Sequence, residues 1–536
     1  MAKAKLAKRV ERADSRHHNE PAHKPAPLLP LFLASAAVLL FFLSARFAAR
    51  EPWSYDEFFH LGIAREMLSG LRLEAFPWTP FSLLAEKFAD KEPLFHLLLM
   101  PFARLPLETA GLFGVFLSQL FVVSWFAFTA RRLVGRRAPL YVLALTTLGS
   151  MFALRMDMCR PHLLLLGFSA LAWGLLLGER TESAAERFVG KRAWIFAFVA
   201  ALSGLAHAGG WIVIVYAAAW GLAGLLTAGH GDDRKILWRP IVFAAGGWLA
   251  GQLVHPNLPN NFRLLWLQNF VVPFQASPAG DAALASQLGV ELTRPELGLL
   301  AEQWTVLGLT LYLTYDLIRH RRLRTRGTLA LGLMALAFVA VGAFALRRFV
   351  ELGAPLVLLA LAALARERTR QGLPRALGSW GGVIAGLGLL IGAIWTGSTV
   401  RSHGFGTSQP IAMAQYLAEH GSPGSRVFTA QWGDSAPLFY FAPQLRSLVM
   451  LDPTFFYAKD PELFREYVRL VRGEHPTPVD ALINKFGARY VTIWNAPAYV
   501  AFGRQLDQDP RIEFLYTDPA RSYLVLEIHP SSAPLR

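Results

Sequence analysis

Two adjacent carboxylates, Asp56 and Glu57, stand in EPWSYDEFFHLGIAREMLSG (51–70), directly after a long apolar run. Ser54 lies three positions before Glu57, the spacing of a capping box in which Glu57 reaches back to the Ser54 amide. That role accounts for Glu57 better than for Asp56, which falls one helical turn before His60 on the same face. An acid beside a membrane surface, in a long loop, suits a general base or a metal ligand. A divalent ion held by Asp56, His60 and Asp157 is therefore left open, although no HExxH or CxxC spacing marks a dedicated zinc site.

Cations recur near the ends of other apolar runs. ALRMDMCRPH (153–162) crowds Arg155, Asp157 and Arg160 into a short connection. It reads either as a snorkelling Arg–Asp pair at the interface or as Asp157 opposite Asp56, with the arginines turned to an anionic headgroup. LRRFVELGAPLVLL (346–359) places Arg347 and Arg348 where basic residues are unexpected. Unless Glu351 alone satisfies them they need an anion, and phosphate matches guanidinium geometry. Lys91, in DKEPLFH, would add a cation at the same level. His207 and His255 read as structural hydrogen-bonding groups. The single cysteine, Cys159, forms no internal disulfide and reads as a small buried hydrophobe.

The elements that must position these residues are apolar. Of 536 residues, 54% are hydrophobic and 17% charged, and the apolar ones cluster in stretches near 20 residues, the length that crosses about 30 Å of hydrocarbon. Hydropathy predicts spans near 27–48, 108–130, 138–154, 161–178, 193–209, 211–228, 239–255, 299–318, 327–346, 353–365 and 377–396. The chain is thus expected to be a polytopic α-helical membrane protein of about eleven transmembrane helices. The net charge of +15 sits in short clusters between runs, RRLVGRR, RHRRLRTR and ARERTR, and in the N-terminal tail. This is the positive-inside pattern. No basic face or aromatic recognition motif accompanies it, which argues against nucleic acid.

Hydropathy and charge agree on a topology. Residues 1–26 form a basic cytoplasmic tail before a retained first span. Loops 49–107 and 256–298 and the tail 397–536 lie outside. The tail holds 13 basic and 13 acidic residues and reads as a soluble α/β domain. SRVFTAQ, RSLVML, RYVTIW, IEFLYTD and SYLVLEI are its expected strands. Asp460-Pro461 and Thr477-Pro478 open its helices, and Gly487 closes the second. Its stretch MLDPTFFYAKDPELFREY (450–467) is aromatic and acidic enough to touch a sugar or acceptor.

These residues together resemble the GT-C superfamily of integral-membrane glycosyltransferases, most closely the branch of aminoarabinose transferases and protein O-mannosyltransferases. The resemblance rests on Asp56-Glu57 after span one, KEPLFHLLL before span two, RMD between spans three and four, and RRFVELGAPL before a late span. It covers roughly residues 27–400. Glu92 departs from it, standing where the family carries a proline. The resemblance implies an inverting transferase of a bacterial inner membrane that moves a sugar from a polyprenyl-phosphate donor to an acceptor hydroxyl on a protein, lipid or glycan at the periplasmic face. It implies Asp56 as main catalytic carboxylate, supported by Glu57 and Asp157. Lys91, Arg155, Arg160, Arg347 and Arg348 would neutralise the departing lipid phosphate. A non-enzymatic transporter or flippase of an anionic lipid-linked glycan is the alternative. Charges deep in several spans would mark it, and the predicted spans carry few. A sensor or assembly role seated in 397–536 is a third reading.

Overall fold

The computed structural model describes residues 28–49, 54–70, 73–177, 190–227, 238–275, 280–372, 381–402, 408–450 and 452–530. The basic tail 1–26 and the first three residues of the opening stretch lie outside the described residues. Each expected apolar run is helical. The elements that carry the site are α1 (Leu28–Ala49), α2 (Tyr55–Leu68), α3 (Pro93–Leu99), α4 (Leu107–Val134), α5 (Gly149–Met156), α6 (His162–Leu177) and α7 (Phe349–Arg370). By length and composition, four described helical segments are apolar enough to cross a membrane: Leu28–Phe47, Leu107–Thr147, Arg326–Phe344 and Phe349–Arg370. His162–Leu177, Ile212–Thr227 and Gly386–Val400 are shorter apolar helices.

The run expected at 138–154 is not one continuous helix. It divides into Ala138–Leu143, a 3-10 stretch Ala144–Thr147 and α5, which starts at Gly149 with φ +83°. A left-handed residue cannot continue a right-handed helix, so the chain turns there.

Small residues set the helix packing. A Cβ at Gly247 or Gly251 would meet the backbone of Ala197 or Ala201 on helix Lys191–Ala206. One at Gly353 of α7 would come within 2.9 Å of Val339 N. Such close approach is how apolar helices associate without a hydrophobic drive between them.

The tail carries a four-stranded sheet, β1 (Arg426–Thr429), β2 (Ala488–Trp494), β3 (Ile512–Thr517) and β4 (Tyr523–Ile528), in the order β1-β2-β4-β3. β1 pairs parallel to β2, and the other pairs are antiparallel. The described residues of RSLVML, 446–450, form no strand; among them only Arg446 bridges, to Arg426. Two of the expected helix ends form as caps: Asp460 Oδ1 accepts from Leu463 N at 2.9 Å, and Gly487 is left-handed at φ +58°. Thr477 stands at its N-cap position without a side-chain cap hydrogen bond.

The tail packs directly on the first loop. Leu83 N donates to Phe455 O and Ser447 N to Trp78 O. Phe439 lies against Gly62 of α2, where any Cβ would come within 2.5 Å of its ring. Arg65 stacks 4.0 Å over Tyr440. One hydrophobic core runs from α1 through Phe58 and Phe59 into Phe428, Phe456 and Phe502. Helix α2 is therefore a largely buried strut between the apolar helices and the tail.

Candidate active site

Ser54 caps α2, its Oγ accepting from Asp56 N at 3.2 Å. The reciprocal half of the capping box does not form, because Glu57 turns inward instead. Its Oε1 accepts from Arg46 Nη2 of α1, with both side chains buried. Gly111 of α4 makes room: a Cβ there would overlap Glu57 Oε1 and lie 2.8 Å from Arg46 Nη2. Burying two charges is tolerable only when they meet each other. Glu57 thus fixes the start of α2, and the next residue back, Asp56, is held at the partly exposed surface.

Asp56 Oδ2 meets Arg160 Nη2, with side-chain exposures of 17% and 19%. Asp157 does not stand opposite Asp56, as the sequence led us to expect. It is fully buried at the end of α5, accepting from Gln119 Nε2 of α4 at 3.0 Å. The Arg155–Asp157 pair does not form either, since Arg155 turns to Glu351 and Glu291. Asp56, His60 and Asp157 are not gathered into one metal-binding group among the described residues.

The arginines converge, and the anion that gathers them comes from the middle loop. Glu291 Oε2 accepts from Arg155 Nη1 and, at 2.9 Å, from Arg160 Nη1. Arg348 Nη1 lies 3.9 Å from Glu291 Oε1. Arg155 also donates through Nε and Nη2 to Glu351. Glu351 therefore serves Arg155 rather than the Arg347–Arg348 pair. Arg347 meets the loop through its backbone, N–H to Thr293 O at 3.1 Å, and Arg348 N donates to Glu291 O at 3.2 Å. Burial alone would raise the Glu291 carboxyl, but Arg160, Arg155 and Arg348 hold it well below the usual carboxylate range. Three guanidiniums thus face Asp56, Glu291 and Glu351. A phosphate entering this balanced cluster must displace a carboxylate.

Sequence reasoning missed Glu291. The available signal was arithmetic: arginines at two outer turns exceeded the nearby acids, and the one other long loop offers Glu291 beside Asp281 and Glu296.

Lys91 lies against the tail. Its Nζ is 3.9 Å from Glu92 Oε1 and 5.7 Å from the centre of the Phe455 ring. Burial pushes the neighbouring Glu92 carboxyl up to about 7, against the lowering effect of Lys91. Asp452 is close enough for Lys91 to act on its charge. The aromatic, acidic stretch 450–467 thus reaches the site through Phe455 and Asp452.

The tail also grips the first residue of α2. Tyr523 Oη donates to Asp434 Oδ1 at 2.9 Å and lies 3.3 Å from Tyr55 Oη. Burial pushes Asp434 up to about 8, although hydrogen bonds from Tyr523 and Tyr55 oppose the shift. His207 and His255 are structural: His207 Nδ1 accepts from Gly209 N, and His255 bonds to Asp90 O and Asn257 N. Cys159 is buried and unoxidised.

No protein-family model matches this chain, and no curated protein matches it either. Solved structures do, and 22 of them match. The archaeal oligosaccharyltransferase AglB from Archaeoglobus fulgidus, in complex with an inhibitory peptide and a dolichol-phosphate, superposes with TM-score 0.65 at 11% identity, over 94% of this chain and 75% of that one. ArnT from Cupriavidus metallidurans, in the apo state, gives TM-score 0.56 at 17% identity, over 92% and 97%. The arabinofuranosyltransferase AftD from Mycobacteria gives 0.52 at 14%, over 95% of this chain but 40% of its own. The chain shares its fold with these three proteins, in keeping with the resemblance carried by the motifs around Asp56.

Proposed function

We propose that this chain is a glycosyltransferase using a lipid-linked donor. The observation that carries the reading is Asp56 held at the edge of an arginine cluster, on a fold shared with transferases of this kind. In finer detail, the donor is a polyprenyl-phosphate sugar, and the site faces the periplasm from a bacterial inner membrane. The transmembrane part, 27–396, performs the reaction, and the periplasmic tail, 397–536, covers it.

The chemistry needs two charge movements. The acceptor hydroxyl attacks the anomeric carbon, its new C–O bond forming as the C–O bond to the lipid phosphate breaks. The leaving phosphate takes the bonding pair and gains negative charge. Arg155, Arg160 and Arg348, with Lys91, are placed to stabilise it in a low-dielectric cleft. The hydroxyl proton passes to Asp56, whose backbone is capped by Ser54 and whose partly exposed carboxylate is oriented by Arg160. One displacement inverts the anomeric centre. Glu57 and Asp157, both buried, act by positioning: Glu57 through Arg46, Asp157 through Gln119.

Offering the purified protein labelled polyprenyl-phosphate sugars tests this. Asp56→Asn should lower turnover by about 10²–10⁴-fold, the usual share of a positioned base, while insertion and thermal unfolding stay unchanged. Near-normal turnover in that variant would sink the assignment. Donor binding without transfer by the wild type would point to the transporter.

A further inference from the structure

Behind Lys91 lies a cluster that the proposed reaction does not use. His60 of α2 and His96 of α3 face each other, His60 Nδ1 2.8 Å from His96 Nε2. One nitrogen of each ring and one carboxylate oxygen of Glu92 lie within 4.8 Å of one another, and all three residues are buried. Glu92 Oε2 has no hydrogen-bond partner, and Glu92 is only 4% exposed. A buried carboxylate oxygen left without a donor is costly. From this convergence we infer that His60, Glu92 and His96 form a binding site for a divalent transition-metal ion of the zinc type.

The surroundings prepare the ligands. His96 Nδ1 lies 2.7 Å from Asp90 Oδ2. If Asp90 accepts that proton, His96 Nε2 carries the lone pair that points at His60. A carboxylate behind a ligating imidazole is the usual partner that fixes tautomer and raises ligand basicity. Asp90 is itself pinned: its Oδ1 accepts from Glu92 N at 2.9 Å, its N–H donates to Asn257 Oδ1 at 3.0 Å, and its carbonyl meets His255 Nε2 at 2.9 Å.

With His96 in that tautomer, the proton between the two rings belongs to His60 Nδ1. Moving it to His60 Nε2 would leave two lone pairs converging. Metal–nitrogen bonds of about 2.0–2.1 Å in tetrahedral geometry need the nitrogens only a few tenths of an ångström farther apart. Two imidazoles and one carboxylate suit Zn²⁺ or Co²⁺ over Mg²⁺, which prefers oxygen ligands. The pocket stays net negative with Asp90, Glu92 and Lys91 all counted, which favours a cation. Asp56, one turn away on α2, faces Arg160 and is not a ligand.

Such an ion would tie α2 to α3, and so the helix that bears Asp56 to the segment that bears Lys91. The second acid–histidine group in the structure, Glu513, Glu527 and His529, is less closed. Glu527 is taken by Arg489, and His529 pairs with Glu513.

The test uses the full chain in detergent, purified without a polyhistidine tag, stripped with a chelator and titrated with Co²⁺. One equivalent should bind with the visible ligand-field bands of a tetrahedral site, and Zn²⁺ should displace it. Glu92→Gln and His60→Gln should each abolish the bands, with unchanged circular dichroism confirming the fold. Asp90→Asn should weaken affinity by about 10–100-fold, as loss of such a supporting carboxylate does. A wild type that binds no Co²⁺ overturns the proposal. So does binding that survives in both Glu92→Gln and His60→Gln, since the ion would then sit elsewhere.

Discussion

Arg46 Nη2 donates to Glu57 Oε1 at the junction of α1 and α2, with side-chain exposures of 4% and 0%. This pair decides which of two adjacent carboxylates stays partly exposed beside the arginines. Glu57 is consumed by Arg46 inside the protein, so Asp56 is the one left at the cleft.

Glu57→Gln should therefore destabilise the protein rather than remove a catalytic group. It leaves Arg46 as a buried cation short of its counter-charge, a loss of about 3–5 kcal/mol for pairs of this kind. A lowered thermal midpoint, with residual turnover at low temperature, is the expected result. A folded but inactive variant would instead assign Glu57 to the chemistry.

Gly111→Ala should cost about 1–3 kcal/mol, the range for overpacking a filled site. The added Cβ collides with the Arg46–Glu57 pair. Combining Gly111→Ala with Glu57→Ala should recover part of that loss, because the two changes share one space. Strict additivity in a double-mutant cycle of unfolding midpoints would place the cause elsewhere.

Glu291→Gln should tighten donor binding. It removes the charge that Arg155, Arg160 and Arg348 share, so an incoming phosphate no longer competes for them. The expected change is a donor KM lower by about tenfold, or about 1.4 kcal/mol, with kcat little altered. A raised KM would show that Glu291 helps to hold the donor site together.

Asp434 makes stability depend on pH. Its carboxyl moves from an ordinary 3.8 to about 8 because it is buried. Between those values the folded chain keeps a proton that the unfolded chain has lost. That stability is complete below pH 3.8 and falls as the pH rises through 8. The thermal midpoint should drop as the pH is raised from about 5 to about 8.5, with most of the fall complete once the folded-state carboxyl has ionised. Asp434→Asn should flatten the dependence. An unchanged slope would move the effect to another group.

Much of the scaffold was legible because apolar run length and loop charge are local properties. The runs read from hydropathy are helical over most of their described residues, and the caps at Asp460 and Gly487 formed as their residue types require. The local code failed at RSLVML: its β-branched and apolar residues suit a strand, but only Arg446 finds a bridging partner. It failed again at 138–154, where the left-handed Gly149 breaks what composition alone reads as one helix.

The site was legible in its residue types but not in its pairings. The sequence by itself determined that Asp56 begins a helix just past an apolar run, and that several arginines cluster at turns with too few local acids. Which acid met which base was decided by the tertiary structure. Glu291 crosses from the middle loop to three arginines, Glu351 turns to Arg155, and Asp157 retreats to Gln119. Ion pairing depends on distances of a few ångströms between side chains far apart in sequence, and spacing along the chain carries no record of them. Capping a helix needs only neighbours; neutralising a cluster needs the fold.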